Sequence, residues 1–206
     1  MRTTQMEALA RSKGAFGTVT PKKHFRMKEI KVFIAMTIDG FIAREDHSLD
    51  WLDVFSSAGQ EDYGYERFIQ SVGTLVMGRN TYEAILGAGV DWPYGRCETY
   101  VLTQRPDYTV RTPRTHVLNQ FGDVVVRSLR RKSTGNVWIV GGGGIITNLL
   151  AANQVDELLI SVMPLVLGNG IRLFPGAGNT MPLELAELTR FNNGVVNLKY
   201  RRRKKA

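Results

Sequence analysis

The chain reads as an α/β protein: a mostly parallel, mixed sheet with helices on both faces. Three observations predict this. Short apolar runs rich in β-branched residues alternate with segments of helical periodicity through most of the 206 residues. One alternation, residues 137–150 (VWIVGGGGIITNLL), joins a strand-like run to a helical stripe of Ile145, Ile146, Leu149 and Leu150 through four consecutive glycines. Near the C-terminus, residues 183–191 and 195–200 flank Asn192-Asn193-Gly194, and Asn-Gly between β-rich runs signals an antiparallel hairpin.

Taken in order, residues 30–36 (IKVFIAM) are apolar on both faces, which places this strand centrally. Residues 37–43 continue it through a break at Gly40, and a polar loop runs to Trp51. Residues 61–72 put Tyr65, Phe68, Ile69 and Val72 on one helical stripe, with Glu61 and Asp62 at its start and Gly73 as its stop. Residues 74–77 form a strand ending at Gly78-Arg79-Asn80-Thr81, before a helix through Leu86. After a Gly/Pro loop come strands at 98–102 and 115–118, then a helix from Gly122-Asp123 to about Lys132. Residues 156–163 form a further strand before a Pro/Gly loop and the hairpin. The count is about eight strands and four helices in one domain over 29–201, with no repeat.

Composition excludes several classes. Hydrophobic residues make up 43% and charged residues 22%, as in an ordinary soluble globule. No apolar run approaches the ~20 residues of a membrane span. The single cysteine, Cys97, rules out an internal disulfide or a cysteine metal cluster and suits a reducing, cytoplasmic setting. His24, His47 and His116 show no ligand spacing. The net charge of +8 is unevenly placed: residues 1–28 carry +6 and residues 199–206 another +6, leaving a mildly acidic body. Basicity confined to the ends argues against nucleic acid as the main partner. Residues 1–28 read as a poorly ordered basic extension, either a targeting segment or a start-site extension, and 202–206 as a basic tail.

The glycine run carries the first functional signal. Glycines let a backbone approach a ligand closely, and a helix start offers unpaired N–H groups and a positive dipole end, a geometry suited to pyrophosphate. A tight strand-to-helix turn that binds nothing is the alternative, since the run is neither G-x-G-x-x-G nor a P-loop. Two further strand ends bear on it, because ligands of open α/β sheets sit beyond the carboxyl ends of strands. Arg79 follows one strand; Arg105 follows another, beside Thr103. Taken singly, each arginine is an ordinary surface charge. Taken with the glycine run, they fit a nucleotide with one pyrophosphate and one isolated phosphate, the charge pattern of NADPH.

The segments IKVFIAMTIDGFIA, VMGRNTYEAI, YVLTQRP, VWIVGGGG, LLISVMPLVLG and LFP stand in the order seen in the dihydrofolate-reductase-like superfamily. Over about residues 30–201 the chain most resembles the reductase domain of the bifunctional riboflavin-biosynthesis deaminase–reductase and its stand-alone relatives. The resemblance implies the dihydrofolate-reductase-like fold, an NADPH-dependent reductase acting on a small molecule, and a homodimer. It also implies that Gly78, Arg79 and Thr81 hold the adenosine end, with Arg79 facing the 2′-phosphate and Thr103 contacting the same group. Arg105 has no family counterpart and is added on charge. Gly141, Gly142, Gly143, Gly144 and Ile145 resemble the pyrophosphate cradle, with a cis bond between Gly141 and Gly142; Ala35 and Ile42 resemble the positions flanking the nicotinamide.

Hydride transfer to a C=N or C=O group needs a proton for the heteroatom, which a carboxylate could supply. Asp62, at the helix start where folate enzymes keep their carboxylate, and Asp50, in an Asp-Trp pair typical of the stand-alone relatives, are the two catalytic candidates. Glu66 lies a turn beyond Asp62, whose other reading is helix-start stabilisation; Asp39 reads as a turn residue. Ile146 stands where many folate reductases have tyrosine, which disfavours folate. One cysteine cannot supply the deaminase's P-C-x-x-C zinc motif, so the chain is expected to be at most the reductase half. Arg131, Lys132 and Arg172 are available for a substrate phosphate. The leading expectation is a 5-amino-6-(5-phosphoribosylamino)uracil reductase type of activity. The alternatives are a pterin, folate or other carbonyl or imine reductase, and a non-catalytic nucleotide- or RNA-binding domain.

Overall fold

The computed structural model describes residues 27–56, 61–176 and 180–203; the basic extension up to Arg26 and residues 204–206 of the tail lie outside them. The strands are β1 (Ile30–Thr37), β2 (Phe41–Ala43), β3 (Val72–Gly78), β4 (Glu98–Leu102), β5 (Thr115–Leu118), β6 (Asn136–Gly141), β7 (Glu157–Met163), β8 (Ile171–Arg172), β9 (Leu183–Arg190) and β10 (Val196–Arg202). Eight of them form one sheet in the order β5-β4-β3-β6-β1-β7-β10-β9. From β5 to β7 every pairing is parallel, and β10 runs antiparallel to both β7 and β9. The expected mixed, mostly parallel sheet with a closing hairpin is what the chain forms.

The helices are α1 (Asp53–Ser56), preceded by a 3₁₀ turn at Asp50–Leu52, α2 (Tyr65–Gln70), α3 (Arg79–Gly87), α4 (Asp123–Lys132) and α5 (Gly143–Ala151). They divide between the two faces of the sheet. On one face Val126 and Leu129 of α4 and Ile146, Leu149 and Leu150 of α5 pack on Ile30, Val32, Val76, Ile139 and Ile160. On the other, Phe68 of α2 and Tyr82 of α3 pack on Phe33, Leu75, Met77, Val101 and Trp138. Alternate residues of β1 thus enter opposite cores, which is why its sequence is apolar without a break. Each fully buried large aliphatic or aromatic side chain contributes about 1.5–3 kcal/mol.

Two local expectations are corrected. Gly73 does not stop a helix: it lies inside β3, where a Cβ would sit 2.2 Å from the backbone N of Gly135, so the glycine is there for close approach of chains. Residues 37–43 are also not one strand. The chain turns at Asp39-Gly40, Gly40 at φ +88°, and β2 leaves the main sheet to pair with β8. Asp39 fixes this turn by accepting from Thr37 Oγ1 (2.6 Å) and from the backbone N–H groups of Leu167 (3.1 Å) and Gly168 (2.7 Å).

Candidate active site

Because β4, β3 and β6 are adjacent and parallel, their carboxyl ends meet along one rim of the sheet, and β1 brings a fourth end beside them. Here a cleft of about 670 Å³ opens. Two helices begin on it. α3 follows Gly78 and α5 follows Gly142, and neither N-terminus has a side-chain cap. Their first-turn N–H groups and positive dipole ends therefore face one cavity, a local environment for anions made without any cation. Glycine is required at 142, where φ is +70°. At Gly141 a Cβ would approach Thr81 Oγ1 to 3.4 Å, narrowing the gap between the two helix starts.

Eleven of the twelve residues assigned to the cofactor line this cleft: Gly78, Arg79 and Thr81 from α3 and its cap, Thr103 and Arg105 beyond β4, Gly141, Gly142, Gly144 and Ile145 at the start of α5, and Ala35 and Ile42 beside β1. Gly143 does not line it. Its missing Cβ would lie 2.3 Å from the carbonyl oxygen of Arg172 and 2.8 Å from that of Leu173, so this glycine lets α5 pack on β8. The described residues contain no cis peptide bond, so Gly141–Gly142 is trans where the resemblance implies cis. Arg79 Nη1 donates to Glu83 Oε2 at 2.7 Å. Thr103 is buried, its Oγ1 accepting the Arg105 N–H at 3.1 Å. Gln104 Nε2 donates to the Asn119 carbonyl and Asn119 Nδ2 to the Thr103 carbonyl, which latches this rim to the chain after β5.

Neither of the two carboxylates expected at the reacting end lines the cleft. Asp50 is exposed and paired with Arg44 Nε at 2.6 Å, and this hydrogen bond holds its carboxyl below the usual range. Asp62 accepts the backbone N–H groups of Glu66 and Gly64, both at 2.8 Å, which lowers its pKa; α2 begins at Tyr65, four residues later than the periodicity suggested. Glu66 is exposed. None of the three lines the cleft, and among the described residues no aspartate or glutamate does. Arg131 and Lys132 lie exposed in the last turn of α4, and Arg172 stacks over the Phe41 ring at 4.8 Å; none is a lining residue.

What the sequence reading missed is an aromatic end to the cleft. Phe33, Trp138 and Tyr94 line it, Trp138 Nε1 donating to the Phe33 carbonyl at 3.3 Å. Tyr94, 9% exposed, sets its ring edge-on to Trp138 (5.7 Å) and Trp92 (5.2 Å), with the Tyr65 phenol beside its own. Burial pushes the Tyr94 phenol well above its usual range, so it is protonated at neutral pH. His47, in the left-handed region at φ +70°, reaches Asn80 Nδ2 with Nε2 at 3.0 Å and lines the opposite rim. The Trp-Pro-Tyr run inside a Gly/Pro loop was the available signal for Tyr94; for His47 there was none.

An open parallel sheet with a cleft over its strand ends, closed by an antiparallel hairpin, defines the dihydrofolate-reductase-like class. Within it, a family model described as the RibD C-terminal domain matches residues 28–197. The chain belongs to that family. Protein YwjB of Bacillus subtilis (strain 168), uncharacterized by its own name, is 35% identical over 164 residues, spanning 80% of this chain and 92% of that protein. A Shewanella sp. PV-4 protein assigned by name to riboflavin biosynthesis superimposes with a TM-score of 0.75 at 27% identity, over 85% of this chain and 99% of that one. Dihydrofolate reductase from Enterococcus faecalis, complexed with NADP(H), superimposes at 0.58 and 20% identity over 85% and 97%, a likeness of fold.

Proposed function

We propose that this chain is an NADPH-dependent reductase of a small heterocyclic substrate, of the 5-amino-6-(5-phosphoribosylamino)uracil reductase type. Membership of the RibD C-terminal domain family supports an oxidoreductase of the riboflavin and folate kind. The observation that carries the cofactor is the convergence of two uncapped helix starts and two guanidinium groups, Arg79 and Arg105, on one cleft. The α5 start and its glycines would hold the pyrophosphate; Arg79, with Thr103 and Arg105, would hold the isolated 2′-phosphate. Bound there, the nicotinamide supplies a hydride. Ala35 and Ile42 leave room for a flat ring beside β1, and Phe33 and Trp138 offer aromatic surface for a planar substrate.

Since neither Asp50 nor Asp62 lines the cleft and Tyr94 does, we assign the proton to Tyr94. Burial favours the protonated form of its phenol, and Tyr65, 37% exposed, stands beside it. The lining, which among the described residues holds no carboxylate, favours a pyrimidine over a folate, whose amidine calls for a carboxylate partner.

The deciding experiment is a fluorescence titration of the wild type and Arg79→Ala with NADPH and NADH. The substitution is expected to weaken NADPH by about 10- to 100-fold and NADH by less than threefold, as loss of a charge-assisted pair to one phosphate requires. Equal losses for the two dinucleotides overturn the assignment of Arg79. A panel of pyrimidine and pterin substrates, followed by NADPH oxidation, then ranks the substrate.

A further inference from the structure

The guanidinium that the cleft offers to a phosphate already has an anion. Arg79 Nη1 donates to Glu83 Oε2 at 2.7 Å, one helical turn further along α3, with side-chain exposures of 23% and 40%. Arg79 lines the cleft and Glu83 does not. Burial first, and then the nearby Glu83 carboxylate, raise the pKa of the Tyr108 phenol, which sets Tyr108 beside Glu83. Tyr108 lies in the segment after β4, against the core that contains Tyr82, with its ring 6.5 Å from that of Tyr82. Three groups from two segments are thus gathered behind one rim of the cleft.

Their charges decide what this arrangement does. A phosphate dianion and a carboxylate compete for the same planar fork, and they repel each other when both are held within a few ångströms of it. Partial burial keeps that repulsion from being fully screened. A carboxylate that loses Arg79 to a phosphate has the neighbouring Tyr108 phenol as the donor to turn to.

Building on the NADPH reading, we infer that Glu83 is a specificity-determining residue: a resident competitor for Arg79, displaced toward Tyr108 when a 2′-phosphorylated nucleotide binds. The pair sets the strength of preference for the phosphorylated dinucleotide. A nucleotide with a bare ribose does not disturb it.

The test is calorimetric titration of the wild type, Glu83→Gln and Tyr108→Phe with adenosine 2′,5′-bisphosphate, NADPH and NADH, after thermal melts establish that each variant is folded. Glu83→Gln is expected to bind the bisphosphate and NADPH about fivefold tighter, the scale of a partly exposed ion pair, and NADH within twofold. Tyr108→Phe, which removes the fallback partner, is expected to bind the two phosphorylated ligands about two- to threefold more weakly. Unchanged or weaker binding of the bisphosphate by Glu83→Gln overturns the inference, because Glu83 would then only position Arg79. A wild type that binds neither NADPH nor the bisphosphate overturns the NADPH reading itself, a result distinct from the first.

Discussion

Tyr94 and the two displaced aspartates define what a single side chain can do here. A phenol buried among Trp138, Trp92 and Tyr65 loses solvation most in its ionised form, so it keeps its proton at neutral pH and can donate a hydrogen bond to a carbonyl or imine nitrogen. Tyr94→Phe is expected to lower turnover about 100-fold and to leave NADPH affinity within twofold, because the ring and its packing remain. Steady-state rates beside a cofactor titration check this, and an unchanged rate would return the proton to another donor. The glycines and arginines that line the cleft were readable in the chain because such residues at strand ends have few structural substitutes. The reacting end was not. Asp62 before a helix looks the same whether it caps that helix or faces a ligand, and only the hydrogen bonds to Gly64 and Glu66 distinguish the two.

Among elements, the glycines show how far local pattern reaches. Gly73 and Gly144 are alike in sequence terms, each bordering a helical stripe. The structure separates them: a Cβ at Gly73 meets the Gly135 backbone at 2.2 Å, whereas at Gly144 it meets nothing within 4 Å. Gly73→Ala is expected to cost about 3 kcal/mol of stability by forcing β3 away from its neighbour. Gly144→Ala should leave urea denaturation within 1 kcal/mol of the wild type, yet weaken NADPH by placing a methyl at the lined face of α5. Equal denaturation midpoints for the two variants would show that the clash at Gly73 relaxes. No pattern near Gly73 could announce a partner 62 positions away. The break at Gly40 was legible, but the departure of β2 from the main sheet was not, because the clamp on its turn, Asp39, is completed by Leu167 and Gly168. The Thr37 hydroxyl and these backbone donors hold Asp39 at about 2, below its ordinary 3.8. Since the folded value is the lower one, this stabilisation is complete above about pH 4 and is lost as pH falls toward 2. The gap in melting temperature between wild type and Asp39→Asn should therefore shrink from pH 5 to pH 2; a constant gap would remove the carboxylate from the acid response.

At the scale of the molecule, alternation of apolar runs made the layered architecture legible, since strand and helix periods survive any tertiary setting. Strand order did not follow from it. The first strand lies at the centre of the sheet, its Ile30 beside Val137 and its Ala35 beside Ser161, so the partners of the earliest element are separated from it by more than a hundred residues. Contacts so remote in the chain are slow to form, and during synthesis they cannot form at all until their second half exists. On a translating ribosome, β1 must therefore wait, an apolar ribbon with both edges bare, through the making of four other strands before either of its own neighbours emerges. Chaperone demand for this protein is thus fixed by its topology, and it should be greatest just before residue 141 clears the exit tunnel.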